Sequence, residues 1–92
     1  MPEQKKKLFK VFVWMIQDLK LKGNELLLYA MIFDATFSEQ KELKETLSNL
    51  SSILCISKRN VIEVLNRLLD KGLISKREYY TGSIKRIAYK TK

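Results

Sequence analysis

Residues 46–74 read TLSNLSSILCISKRNVIEVLNRLLDKGLI, and the fold turns on this stretch. Its apolar residues recur at helical spacing twice. Over residues 46–54, Leu47, Leu50, Ile53 and Leu54 share one stripe; over 58–71, Val61, Val64, Leu65 and Leu68 share another. Only Cys55, Ile56 and Ser57 lie between them. Ser57 is a good N-cap for the second helix, and Gly72 after Lys71 is a C-terminal stop. Two helices joined by so short a turn must cross steeply, with small or apolar residues at the crossing and a tight backbone between. Leu50, Ser51 and Leu54 supply the first helix's side of that crossing, Val61 and Val64 the second's.

Downstream of Gly72 the period changes to two. Residues 73–80 and 84–90 are strand-like and flank Thr81, Gly82 and Ser83, which predicts a hairpin. A lone hairpin needs a third strand or a helix beside it. Residues 9–13 are expected to form such a strand, since Phe9, Val11 and Val13 alternate with Lys10 and Phe12. A helical reading competes there, with Leu8, Phe12, Met15, Ile16 and Leu19 on one stripe. Residues 40–44 offer another edge strand within a polar loop. Between these segments, Gly23 and Asn24 break the chain; Asn24 is expected to cap a helix with Glu25 in its first turn. Residues 26–33 are apolar on every face, which predicts a buried central helix of about 14 residues, too short to span a bilayer. The expected core is Leu26, Leu27, Ala30, Met31, Leu50, Leu54, Val61, Val64, Leu65 and Leu68.

Ninety-two residues make one small domain, read as a basic polar tail over 1–7 and a folded unit over 8–92. The chain has no His and one Cys, which removes imidazole bases, imidazole or thiolate metal sites and an intrachain disulfide. With no phosphate-cradling motif either, the expectation is not an enzyme, with no cofactor and no small-molecule ligand evident. The apolar run after Lys5, Lys6 and Lys7 is broken by Lys10 and lacks a small-residue cleavage site, so the chain reads as cytoplasmic and not membrane-bound. The net charge of +8 is uneven: +3 over residues 1–10, −2 over 11–56 and +7 over 57–92. A basic C-terminal third suggests a polyanionic partner.

The pattern of Leu50, Leu54, Ile56, Ser57, Val61 and Val64 resembles the bacterial helix-turn-helix motif. Leu68, Leu69, Asp70, Lys71, Gly72, Leu73 and Ile74, followed by a basic hairpin, resemble the helix-to-wing junction of winged-helix DNA-binding domains. The resemblance covers about residues 24–90. It implies an α+β fold: a three-helix helix-turn-helix core with a C-terminal hairpin wing, to which the reading above adds an N-terminal strand. Two departures stand. Ser51 replaces the usual small Ala, and Cys55 sits where Gly is most common; Cys55 is expected to be a small buried turn residue. The layout is similar to winged-helix modules of bacterial, phage and plasmid replication and regulatory proteins. That implies double-stranded DNA as partner, for a compact regulator or for the DNA-binding module of a longer initiator.

In that docking mode the second helix enters the major groove by its N-terminal part. Its outer face shows Lys58, Arg59, Asn60, Ile62, Glu63, Asn66 and Arg67. Arg59, Asn60 and Glu63 are expected at base edges, Lys58 and Arg67 on phosphates, with Asn66 on the same face. Ser57 and nearby amides are expected to meet a phosphate at the helix N-terminus. On the wing, Lys76, Arg77, Lys85 and Arg86 are expected on the DNA backbone. Tyr79, Tyr80 and Tyr89 interleave with them; ordinary sheet packing accounts for these rings. The competing function is a protein-interaction winged helix whose basic surface meets an acidic partner. Phe9, Phe12 and Trp14 lie on both faces of the expected strand, and the apolar patch so left suggests a homodimer through the N-terminal segment.

Overall fold

Both short helices begin and end where their capping chemistry directs. A computed structural model describes residues 9–39 and 41–92, and the basic tail expected over residues 1–7 lies outside the described residues. The Thr46 hydroxyl accepts the Asn49 N–H at 3.1 Å and opens α3 (Leu47–Leu54); the Ser57 hydroxyl accepts the Asn60 N–H at 3.1 Å and opens α4 (Lys58–Asp70). Helix α4 ends in paired bonds, Gly72 N–H to the Leu69 carbonyl at 3.0 Å and Leu73 N–H to that of Leu68 at 3.1 Å. This closure needs a left-handed residue, and Gly72 has φ +73°. The same closure ends α3, with Ile56 N–H bonded to the Ser51 carbonyl at 3.1 Å. There the left-handed residue is Cys55, at φ 58° and ψ 42°. Its side chain is exposed, not buried as expected: in this turn it projects off the end of the helix. The Ser51 hydroxyl donates across the turn to the Ile56 carbonyl, which gives the first departure from the motif a role.

The fold is α+β, with helices α1 (Val13–Gln17), α2 (Gly23–Thr36), α3 and α4 followed by an antiparallel hairpin of β1 (Ile74–Thr81) and β2 (Ile84–Thr91). The register runs from Ile74 opposite Thr91 to Thr81 opposite Ile84. Thr81 therefore belongs to the strand, and the turn is Gly82 and Ser83 alone, with Gly82 at φ +65°. The hairpin's third partner is Leu43, which exchanges both backbone hydrogen bonds with Tyr89 at 2.7 and 3.0 Å. Along the same edge of β2, the Thr36 hydroxyl accepts the Thr91 N–H at 2.9 Å and so ties the end of α2 to β2.

The expected strand over residues 9–13 is not formed; residues 9–12 are irregular and the chain enters α1 at Val13. A five-residue helix forms instead: of the competing stripe it buries Met15 in the core and leaves Phe12 and Ile16 exposed, while Leu43 takes up the hairpin's pairing. Asn24 does not cap α2 either. Lys22 occupies the cap without a side-chain bond, and Gly23 begins the helix at φ +61°.

Helix α2 is the central element, with Leu28, Tyr29, Ala30, Met31 and Ile32 all buried in sequence. It meets α4, β2 and α1, which cover most of it, while Leu27 and Asp34 stay exposed. Leu50, Val61, Val64, Leu65 and Leu68 complete the core as expected, with Leu21, Leu43 and Ile74 added. Leu27 was expected in the core but is 37% exposed, and Leu26 and Leu54 are half-buried. Among the described residues no helix is long and apolar enough to cross a membrane.

Candidate nucleic-acid interface

Helix α4 and the hairpin splay apart and leave a groove of about 510 Å3 between them. Its walls carry Lys58 and Asn66 from α4, Lys76, Lys85 and Arg86 from the hairpin, and Lys44 from the segment before α3, with one acid, Glu45, among these five cations. Its floor is apolar: Leu47, Ile62, Leu65 and Ile87, with the rings of Tyr79 and Tyr89. Directly across the strands Lys76 stands opposite Tyr89, Arg86 opposite Tyr79 and Lys85 opposite Tyr80, so no acid faces these basic residues in register. Among the described residues Lys58, Lys76 and Arg86 take part in no ion pair, while Lys85 lies 3.1 Å from Glu78. A wet, concave surface with several unneutralised cations concentrates positive potential.

Helix α4 shows three exposed sectors, set by its 100° step. Lys58, Ile62 and Asn66 face the groove. Arg59 stands on the outward crest, its side chain 89% exposed, with Nε 3.8 Å from the Glu63 carboxylate one turn on. An exposed pair of this kind holds the two side chains together by only a few tenths of a kcal/mol. The third sector turns towards the start of α2. There Asn60, Glu63 and Arg67 line a smaller cleft of about 240 Å3 with Lys22, Asn24 and Glu25. Arg67 lies 3.7 Å from Glu25, whose other oxygen takes Lys71 Nζ at 2.6 Å. Glu25 thus joins the first turn of α2 to the end of α4: its carboxylate suits the positive end of α2, and Arg67 and Lys71 suit the negative end of α4.

The residues expected on DNA therefore fall into separate groups. Lys58, Asn66, Lys76, Lys85 and Arg86 are brought together in the groove, Arg59 stands on the crest beside it, and the Ser57 hydroxyl is at the helix cap. Asn60, Glu63 and Arg67 lie along the flank near α2. Arg77 does not line the groove: it makes a two-pronged contact with Glu42, at 2.7 and 2.9 Å, beside Ser75, Ala88 and Lys90. The Arg77 hydrogen bonds hold the Glu42 carboxyl below the usual carboxylate range; partial burial opposes this, and the charges of Arg77, Lys44 and Lys90 add to it. Stacked on the same tie, the Tyr79 ring has the Arg77 guanidinium 5.2 Å from its centroid and Lys44 Nζ at 5.6 Å.

Lys44 is the groove cation that sequence reasoning missed. It sits in a segment whose local charge is neutral to acidic, and nothing in its spacing marks it. The bridge between Leu43 and Tyr89 and the contact of Glu42 with Arg77 bring it beside the hairpin. No protein-family model matches the chain, and no curated protein is detectably similar to it.

Proposed function

We propose that the protein is a winged-helix, sequence-specific binder of double-stranded DNA. In this reading it acts as a small transcriptional regulator or as the DNA-binding module of a replication initiator. The observation that carries the reading is the groove between α4 and the hairpin, rimmed by Lys44, Lys58, Lys76, Lys85 and Arg86 beside the exposed crest of Arg59. One strand of a duplex runs along the groove with phosphates against those cations, and α4 enters the major groove with Arg59 towards a guanine edge. Lys58, Lys76, Lys85, Arg86 and Lys44 position; Arg59 and Asn66 read. Arg67 and Arg77, held by Glu25 and Glu42, support the fold of the interface and do not touch DNA.

The test is a titration of duplex DNA over a series of salt concentrations, preceded by selection of a preferred site from random duplex. Affinity is expected to fall linearly on a double-logarithmic plot with a slope of about −4 to −5, one unit for each groove cation that meets a phosphate. Absence of duplex binding at low salt overturns the reading and leaves an acidic protein as the partner of the groove.

A further inference from the structure

Helix α1 and the last turn of α2 carry an aromatic surface that nothing among the described residues covers. Trp14 stacks beside Phe12 at 6.2 Å and meets the edge of Phe33 at 5.2 Å, and Phe33 passes contact on to Phe37 at 4.8 Å between ring centroids. Val11, Phe12, Val13, Trp14, Ile16 and Phe37 are all between 36% and 73% exposed. Together they leave roughly 600 Å2 of apolar surface in water, taking 150–250 Å2 for a whole aromatic side chain. That lies at the upper end of what a soluble monomer shows and marks a contact surface.

We infer that this face is the two-fold contact of a homodimer. Area supports a second copy as the occupant: apposing two such patches removes at most roughly 1,200 Å2 in total, against the roughly 1,000 Å2 expected of a specific interface. Charge supports it too. Two chains of +8 repel, and they can meet only where the local charge is small. Residues 9–39, which hold the patch, carry three lysines and four acids. None of the patch residues lines the basic groove. A different partner would be chosen by charges or hydrogen bonds set in the face. The ring cluster of Phe12, Trp14, Phe33 and Phe37 offers one hydrogen-bonding group, the Trp14 indole N–H, and a two-fold contact asks only that it complement itself.

The pairing does not depend on the DNA reading; on that reading, it also sets two α4 helices on one particle and makes the preferred site a palindrome. The test uses the full chain without DNA. Sedimentation velocity over about 1–100 μM should show a species of twice the 10.8 kDa chain mass. Trp14 is the only tryptophan and lies in the patch, so its emission should shift to the blue with the same concentration dependence. Phe37→Glu and Val13→Glu alter the most exposed patch positions and leave the core intact. Each should raise the dimer dissociation constant roughly 1,000-fold, about 30-fold per copy and present twice. Ser83→Glu, with the same charge change at the hairpin turn, should leave it unchanged. A monomer at every concentration, with static Trp14 emission, overturns the inference. So does a dimer that survives both patch substitutions, or one that Ser83→Glu dissociates equally.

Discussion

Arg59 follows the Ser57 cap by two residues, and this places its long side chain on the crest of α4, 89% exposed and tied only to Glu63 at 3.8 Å. Leaving that pair costs little, so the guanidinium is free to make two parallel hydrogen bonds to guanine. Arg59→Ala should cost about 1–3 kcal/mol against the preferred duplex and much less against random duplex, in paired titrations at one salt concentration. Equal losses on both would make Arg59 a phosphate contact. Cys55 makes a second residue-scale prediction. A side chain at φ 58° costs roughly 1–2 kcal/mol, and glycine is free of it, though glycine loses about 0.5–1 kcal/mol more in chain entropy. Cys55→Gly should therefore stabilise the fold by about 0.5–1 kcal/mol in a urea titration. A destabilised variant would mean that the weak thiol contact to the Ser52 carbonyl at 3.7 Å, or packing around the turn, outweighs the backbone term. The Ser57 cap and the glycine-like position of Cys55 were legible in the sequence, because hydroxyl caps and left-handed closures are local chemistry; sequence reasoning missed the Thr46 cap. The partners of Arg67 and Arg77 were not: Glu25 and Glu42 are 42 and 35 residues away, and an exposed arginine looks the same in sequence whether or not an acid awaits it.

At the scale of elements, the stretch from α3 to β2 was legible nearly to the residue, since amphipathic stripes, caps and a two-residue period all agree there. The N-terminal segment was not. Its aromatic and β-branched residues favour a strand by propensity, yet a strand needs an edge to pair with. The edge of β2 is taken by Leu43, and burial of Met15 favours the helical phase. The segment with Leu43 is secured by more than its bridge, for the neighbouring Glu42 grips Arg77 at 2.7 and 2.9 Å. This tie has a pH signature. The Glu42 carboxyl titrates below its ordinary range because Arg77 hydrogen-bonds to its charged form, so the unfolded state binds the proton more readily. Its contribution is complete above the ordinary carboxylate value of about 4.3 and is lost as the pH falls through the lower folded value. Glu42→Gln should be less stable than the wild type at pH 7, and the gap should close as the pH is lowered below about 4. Denaturant midpoints for both proteins from pH 7 to pH 3 measure it. A gap independent of pH would assign the loss to packing and not to the ion pair.

For the whole molecule, +8 alone attracts any polyanion, and the question is whether affinity follows the total charge or the groove. Arg86 and Arg77 separate the two, since each is a single hairpin arginine whose removal lowers the net charge by the same amount. Arg86 lines the groove and forms no ion pair among the described residues. Arg77 is bound to Glu42 and does not line the groove. Counterion release counts only phosphates met by the protein, whereas a diffuse field counts charge wherever it sits and is screened over about 8–10 Å at moderate salt. If the groove holds the DNA backbone, Arg86→Ala should shallow the salt slope by about one unit and weaken all sequences alike. Arg77→Ala should leave the slope where it is and act instead on stability, by freeing the Glu42 carboxyl. Equal changes in slope for both would show that the molecule binds through its overall charge. A change of base preference on removing Arg86, with the slope intact, would move the hairpin from positioning to reading and shift the search for specificity away from α4.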